Sequence, residues 1–113
     1  MKIINCTPHP VAIHNQDGSK LTLNPSGIVP RVQVSRTFLQ KAVGADVYRP
    51  DFGKPSGIPD RADDTFYVVS SLLAAAAPDR DDLLTPGDPI RDDQGRVIGC
   101  KGLNAPNIDG GGQ

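Results

Sequence analysis

Apolar and polar positions along this chain change rhythm several times, and each change predicts a boundary. Lys2 to Asn5 is a short apolar run, followed by 7-TPHP-10, where two prolines keep the backbone extended or turned. Val11 to His14 resumes the apolar stretch. The 15-NQDG-18 segment then suits a two-residue hairpin turn, and Lys20 to Leu23 alternates as a half-buried partner strand does. After the 24-NPSG-27 turn, 28-IVPRVQVSR-36 alternates again, with Ile28, Pro30, Val32 and Val34 on one side. Pro30 cannot donate to a ladder, which predicts an edge strand or a bulge there. Residues 37–48 fit either a short helix or a second hairpin around Gly44-Ala45; Val43, Val47 and Tyr48 favour the hairpin. The proline-rich 49–64 stretch reads as a long loop, either functional or simply solvated.

The most apolar segment is 65-TFYVVSSLLAAAAPDRDDLLTPGD-88. Phe66 to Val69 is a continuous run and predicts a central strand. Ser70 or Ser71 can cap a short helix over about 71–77, which Pro78 ends. A last hairpin follows, turning at 92-DDQG-95 and returning from Arg96 to Leu103. The pattern predicts a mostly β, β-rich α+β fold: a small barrel or sandwich of short antiparallel strands with one short helix. It forms a single domain over 1–103, with a loose Gly- and Pro-rich tail over 104–113.

Composition changes this picture little. A chain of 113 residues buries roughly two-thirds of its unfolded surface and can hold a core without staples. Twelve glycines, eleven prolines and only 37% hydrophobic residues suit short elements joined by many turns. The net charge is −1 and no basic run occurs, which disfavours nucleic acid as a partner. No apolar run approaches the ~20 residues of a membrane span. Cys6 and Cys100 could close a long loop, worth roughly 4–5 kcal/mol as a disulfide. The start, MKIINCTPHP, has no long apolar core of a signal peptide, so the reading is a cytoplasmic protein with two buried thiols.

Several residues could carry chemistry, each beside a plainer explanation. His9 is held between Pro8 and Pro10, which suits a ligand contact or proton carrier, or an ordinary surface turn. Ser26, in the Pro-Ser-Gly turn before Arg31, could form an anion nest with that arginine, or could be a turn and nothing more. A second Pro-Ser-Gly, 55–57, lies in the long loop. Ser70 and Ser71 could meet a phosphate at a helix start, although capping alone explains a serine there. Arg80 could pair with a phosphate and a carboxylate such as Asp82 with a ribose hydroxyl; the plainer explanation is that Asp81 or Asp82 caps the next turn while Arg80 makes a surface ion pair. Tyr67 could contact a base or ribose. No zinc pattern is present, no cofactor is implied, and Asp92-Asp93-x-Gly95 reads as a hairpin turn rather than a calcium loop.

Together, 4-INCTPHPV-11, Pro-Ser-Gly with Arg31, 67-YVVSSL-72, 80-RDDL-83 and 91-RDDQGRVIGC-100 resemble, in this order, motifs of small proteins of phages and actinobacteria. Those start "NLTPH" where this chain has 5-NCTPH-9, which implies that Cys6 packs as a hydrophobe. The resemblance spans most of 1–103 and fades over 37–64. By analogy with small phage proteins that sequester host immune signals, it implies a non-enzymatic binder of a nucleotide-derived molecule. In that role Arg31, Arg80 and Ser70-Ser71 would grip phosphates, His9 and Tyr67 would contact base or ribose, and the protein could assemble as a homo-oligomer. The alternatives are a phosphodiesterase acting on such a nucleotide, with His9 as acid or base, and a structural or protein-interaction protein.

Overall fold

Backbone hydrogen bonding in the computed structural model, which describes residues 1–108, sorts the chain into eight strands and one helix. These are β1 (Lys2–Asn5), β2 (Val11–His14), β3 (Lys20–Leu23), β4 (Val34–Ala42), β5 (Ala45–Phe52), β6 (Thr65–Val68), α1 (Ser71–Ala76), β7 (Leu83–Arg91) and β8 (Val97–Asn104). Six strands form one sheet in the order β1-β6-β7-β8-β2-β3, and β4 and β5 form a separate two-stranded arm. A bridge between Asn5 and Pro25, just past β3, brings the two edges of the sheet together, so that it curls into a nearly closed barrel.

The fold is mostly β with one short helix, as the pattern predicts, but the pairing is mixed rather than antiparallel throughout. β1 runs parallel to β6, β6 to β7 and β2 to β8, while β2–β3, β4–β5 and β7–β8 are antiparallel. Two-residue turns can produce only the antiparallel pairs; the parallel ones join strands distant in sequence. Two other expectations shift. The strand expected over 28–36 begins only at Val34, because Pro30 is buried and Val32 packs on the core without joining the ladder. The tail begins later than Asn104, which still belongs to β8, and Asn107 is tied to the helix. The rest of the expected tail, 109–113, lies outside the described residues.

β6 explains its own composition. Val68 faces one cluster with Val11, Ile13 and Cys100. Tyr67 and Val69 face the other, with Cys6, Leu73, Ala74, Ala77 and Leu83. Both faces are covered, so the strand has no polar side to display. Val68, Val69 and Leu83 are fully buried, each contributing about 1.5–3 kcal/mol by removal from water. Cys6 and Cys100 are buried free thiols in different clusters.

α1 is too short to stand alone and is held at both ends. The Ser70 hydroxyl accepts from Leu73 N–H at 3.2 Å, and Asn107 Nδ2 donates to the carbonyls of Ala74 and Ala77 at 2.9 and 3.1 Å. At Gly87 of β7 a side chain would run into the Lys101 carbonyl oxygen of β8. Among the described residues no helix is long and apolar enough to cross a membrane.

The arm leaves and re-enters the body at one place. Gly53 N–H donates to the Gln33 carbonyl at 2.7 Å, and Arg31 and Ser56 exchange two backbone hydrogen bonds of 2.8 Å. This clasp keeps the two ends of the arm together beside the barrel.

Candidate functional site

Asn5 ends β1 and is buried at 2% exposure, yet every polar group of its side chain is used. Its Nδ2 donates to the carbonyls of His9 and Leu23, both at 2.9 Å. Its Oδ1 accepts from Thr7 N–H at 2.9 Å and Thr7 Oγ at 2.6 Å, an Asx turn that starts the Pro-flanked loop. Its backbone carbonyl accepts from Ser26 N–H and from Ser26 Oγ, at 2.9 and 2.7 Å. Asn5 is therefore the latch that closes the barrel. It brings the His9 backbone and Ser26 to one seam and leaves the His9 side chain exposed. The Cys6 thiol beside it is pushed up in pKa, chiefly by burial, while a hydrogen bond with Ser26 acts in the opposite direction.

Tyr67, Arg80 and Asp82 also come together, and all three turn inward. Arg80 makes two hydrogen bonds to the Asp82 carboxylate, at 2.9 and 2.8 Å, with the pair largely buried. That contact holds the Asp82 carboxyl below, and the Arg80 guanidinium above, their ordinary pKa values. Arg80 Nη2 also donates to the Pro59 carbonyl at 2.8 Å, and the Tyr67 hydroxyl donates to the Asp60 carbonyl at 2.9 Å. Arg61 bonds back to Asp81 and to the Asp79 carbonyl. Together these contacts strap the 53–64 loop onto the barrel. A groove lined by Met1, Asp64, Thr65, Asp81 and Asp82 lies beside them; its carboxylates are paired with the N-terminal ammonium, Arg61 and Arg80.

Arg31 is placed differently. It is exposed, and its guanidinium makes no ion pair among the described residues. Its backbone is fixed against Ser56, so the arginine that follows the first Pro-Ser-Gly turn sits against the second. Gly27 and Gly57 have φ of 93° and 84°, a conformation that glycine adopts without strain, which opens both turns sharply. The strapped loop is the one that carries Ser56, so Tyr67, Arg80 and Asp82 act on this position through the backbone.

The Ser70 hydroxyl is occupied by its cap, and Ser71 is the exposed first residue of α1. Among the described residues no three His, Cys, Asp or Glu side chains gather as a metal ion would need. Three structural residues escaped the sequence reading: Asn5, Asn107 and Asp60. Only Asn5 carried a signal, an Asn two residues before Thr7 at the mouth of a proline turn. No family model, no curated protein and no solved structure matches this chain.

Proposed function

We propose that the protein is a non-enzymatic binder that sequesters an anionic, nucleotide-derived small molecule in the cytoplasm, as a phage protein countering a host immune signal would. The observation that carries this reading is Arg31: an exposed guanidinium with no internal ion pair among the described residues, fixed against Ser56 between two Pro-Ser-Gly turns. A planar guanidinium beside a hydroxyl is suited to a phosphate. The exposed imidazole of His9, on a backbone fixed by Asn5, is available for base or ribose. Tyr67, Arg80 and Asp82 support the site by positioning its loop. Assembly of like copies belongs to the same reading, since such sites can be shared between protomers.

The raised pKa of the buried Cys6 thiol disfavours that thiol as a nucleophile, and the phosphodiesterase alternative would rest on His9. A protein-interaction role is the second reading, favoured by the uncovered apolar side chains of the β4–β5 arm.

The test is thermal melting against cyclic and linear nucleotides, including adenosine-diphosphate-ribose derivatives. A ligand at ~100 times its Kd should stabilise by about 2.7 kcal/mol, which is several degrees for a domain of this size. The Arg31→Ala variant should lose that shift while melting normally without ligand, and the ligand should be recovered intact after denaturation. A flat panel, or recovery of a cleaved product, speaks against sequestration.

A further inference from the structure

The β4–β5 arm has two unlike faces. Its register pairs Val34 with Phe52, Arg36 with Pro50 and Phe38 with Tyr48, so these six side chains share one face. Ser35, Thr37, Arg49 and Asp51 share the other, where Thr37 and Arg49 both bond the Asp51 carboxylate. Such alternation belongs to a sheet with one face buried. Here the apolar face is uncovered: Val34, Phe38, Tyr48 and Phe52 are 44%, 54%, 37% and 48% exposed. Leu39, the extra residue at the bulge, is 52% exposed. At the tip, Val43 is fully exposed with φ of 51°, where Gly or Asn would be relaxed.

We propose that this face is an interface between two copies of the chain, packed aromatic face to aromatic face about a two-fold axis. Charge argues for a like partner. The charges on the face are already paired within the arm: toward the tip Lys41 and Asp46 bond each other at 2.8 Å, and Arg36 lies 3.9 Å from the centre of the Tyr48 ring. An acidic or basic partner would find little to pair with, whereas an identical face asks for nothing more. The net charge of −1 adds almost no repulsion between copies.

Area argues the same way. The four exposed side chains offer on the order of 400 Å² of apolar surface per copy, hence roughly 800 Å² for a pair. Leu39, Pro50 and the Arg36 stem bring the total near the ~1,000–1,200 Å² of the smallest specific interfaces. The opposite face keeps its own polar partners and stays in water, and Pro50 interrupts the β5 edge. A two-fold pairing therefore closes on itself instead of propagating. The contact is modest in size and reversible. It is separate from Arg31 and Ser56, so it stands or falls independently of ligand binding.

Sedimentation velocity of the full chain from about 1 to about 300 µM tests it. A monomer–dimer equilibrium is expected, weakened at least ~30-fold by Phe38→Glu and unchanged by Thr37→Glu on the polar face. Thermal melting of Phe38→Glu checks that the barrel is intact; if that variant fails to fold, Tyr48→Ser serves in its place with the same expectation. A monomer at every concentration, or a dimer indifferent to the aromatic-face substitution, overturns the proposal.

Discussion

The barrel and the arm are both built of strands, yet they use side chains in opposite ways. β6 buries residues on both faces, and Val68 and Val69 are sealed from solvent on either side of it. The arm, whose strands are longer than β6 and match β7 and β8, buries almost nothing of its own. Its order comes from the ladder, from cross-strand pairs such as the edge-on Phe38–Tyr48 contact, and from the clasp at Gln33 and Gly53. Strand length and apolar content therefore do not locate a core; coverage does. A two-stranded ribbon is marginal in water unless something packs on it.

This contrast can be broken most directly by truncating one side chain in each region. Leu83→Ala should destabilise the protein by about 2–5 kcal/mol in denaturant melts, because it empties a sealed site. Phe38→Ala, measured at concentrations where the chain is monomeric, should cost less than about 1 kcal/mol. Equal losses would mean that the arm is part of the core after all.

The closure of the barrel is the next point of attack. Asn5→Ala removes the Nδ2 donor from the carbonyls of Leu23 and His9, the latter keeping Thr7 Oγ1, and should cost about 1–3 kcal/mol. Hydrogen exchange should then quicken in β1 and β3, while the arm exchanges as before.

Acid sharpens the comparison with a smaller effect. Asp82 in the barrel and Asp51 in the arm both have carboxyls held below their ordinary pKa, by Arg80 and chiefly by Thr37 respectively. A lowered folded pKa means that the unfolded chain binds more protons between the two values. Stability is therefore full above the unfolded value of about 3.9 and falls as pH drops through the lower folded one. Asp82→Asn should flatten this acid slope. Asp51→Asn should change it much less, because its pair is exposed and screened. A pH series of melts on the two variants measures the difference.

What could be read from the sequence was local. The hairpin of β2 and β3, the cap at Ser70, the helix over about 71–77 (71–76 in the structure) and the apolar β6 each follow from neighbours within a few residues. The parallel pairs did not, because periodicity tells that a segment is a strand but not which distant strand lies beside it. The alternation of 28–36 misled for a related reason: Pro30 and Val32 are apolar because they pack on the barrel, not because they sit in a ladder. At the candidate site, the proximity of Arg31 to Ser56 depends on a loop whose course is set by Arg80 and Tyr67 from outside it. The Arg80–Asp82 pair forms across the turn between α1 and β7, whose course the sequence pattern does not set.

The clasp has one more consequence. Because Gln33 and Gly53 are already hydrogen-bonded, the barrel meets residues 34–52 only as two neighbouring chain ends. An insert of this kind is interchangeable. Replacing it with a short turn alters the closure entropy by only about 1 kcal/mol, in the direction of stability. The barrel can thus serve as a fixed socket into which ribbons of different length and sequence are fitted, so that a change in what the arm touches need not pass through the core.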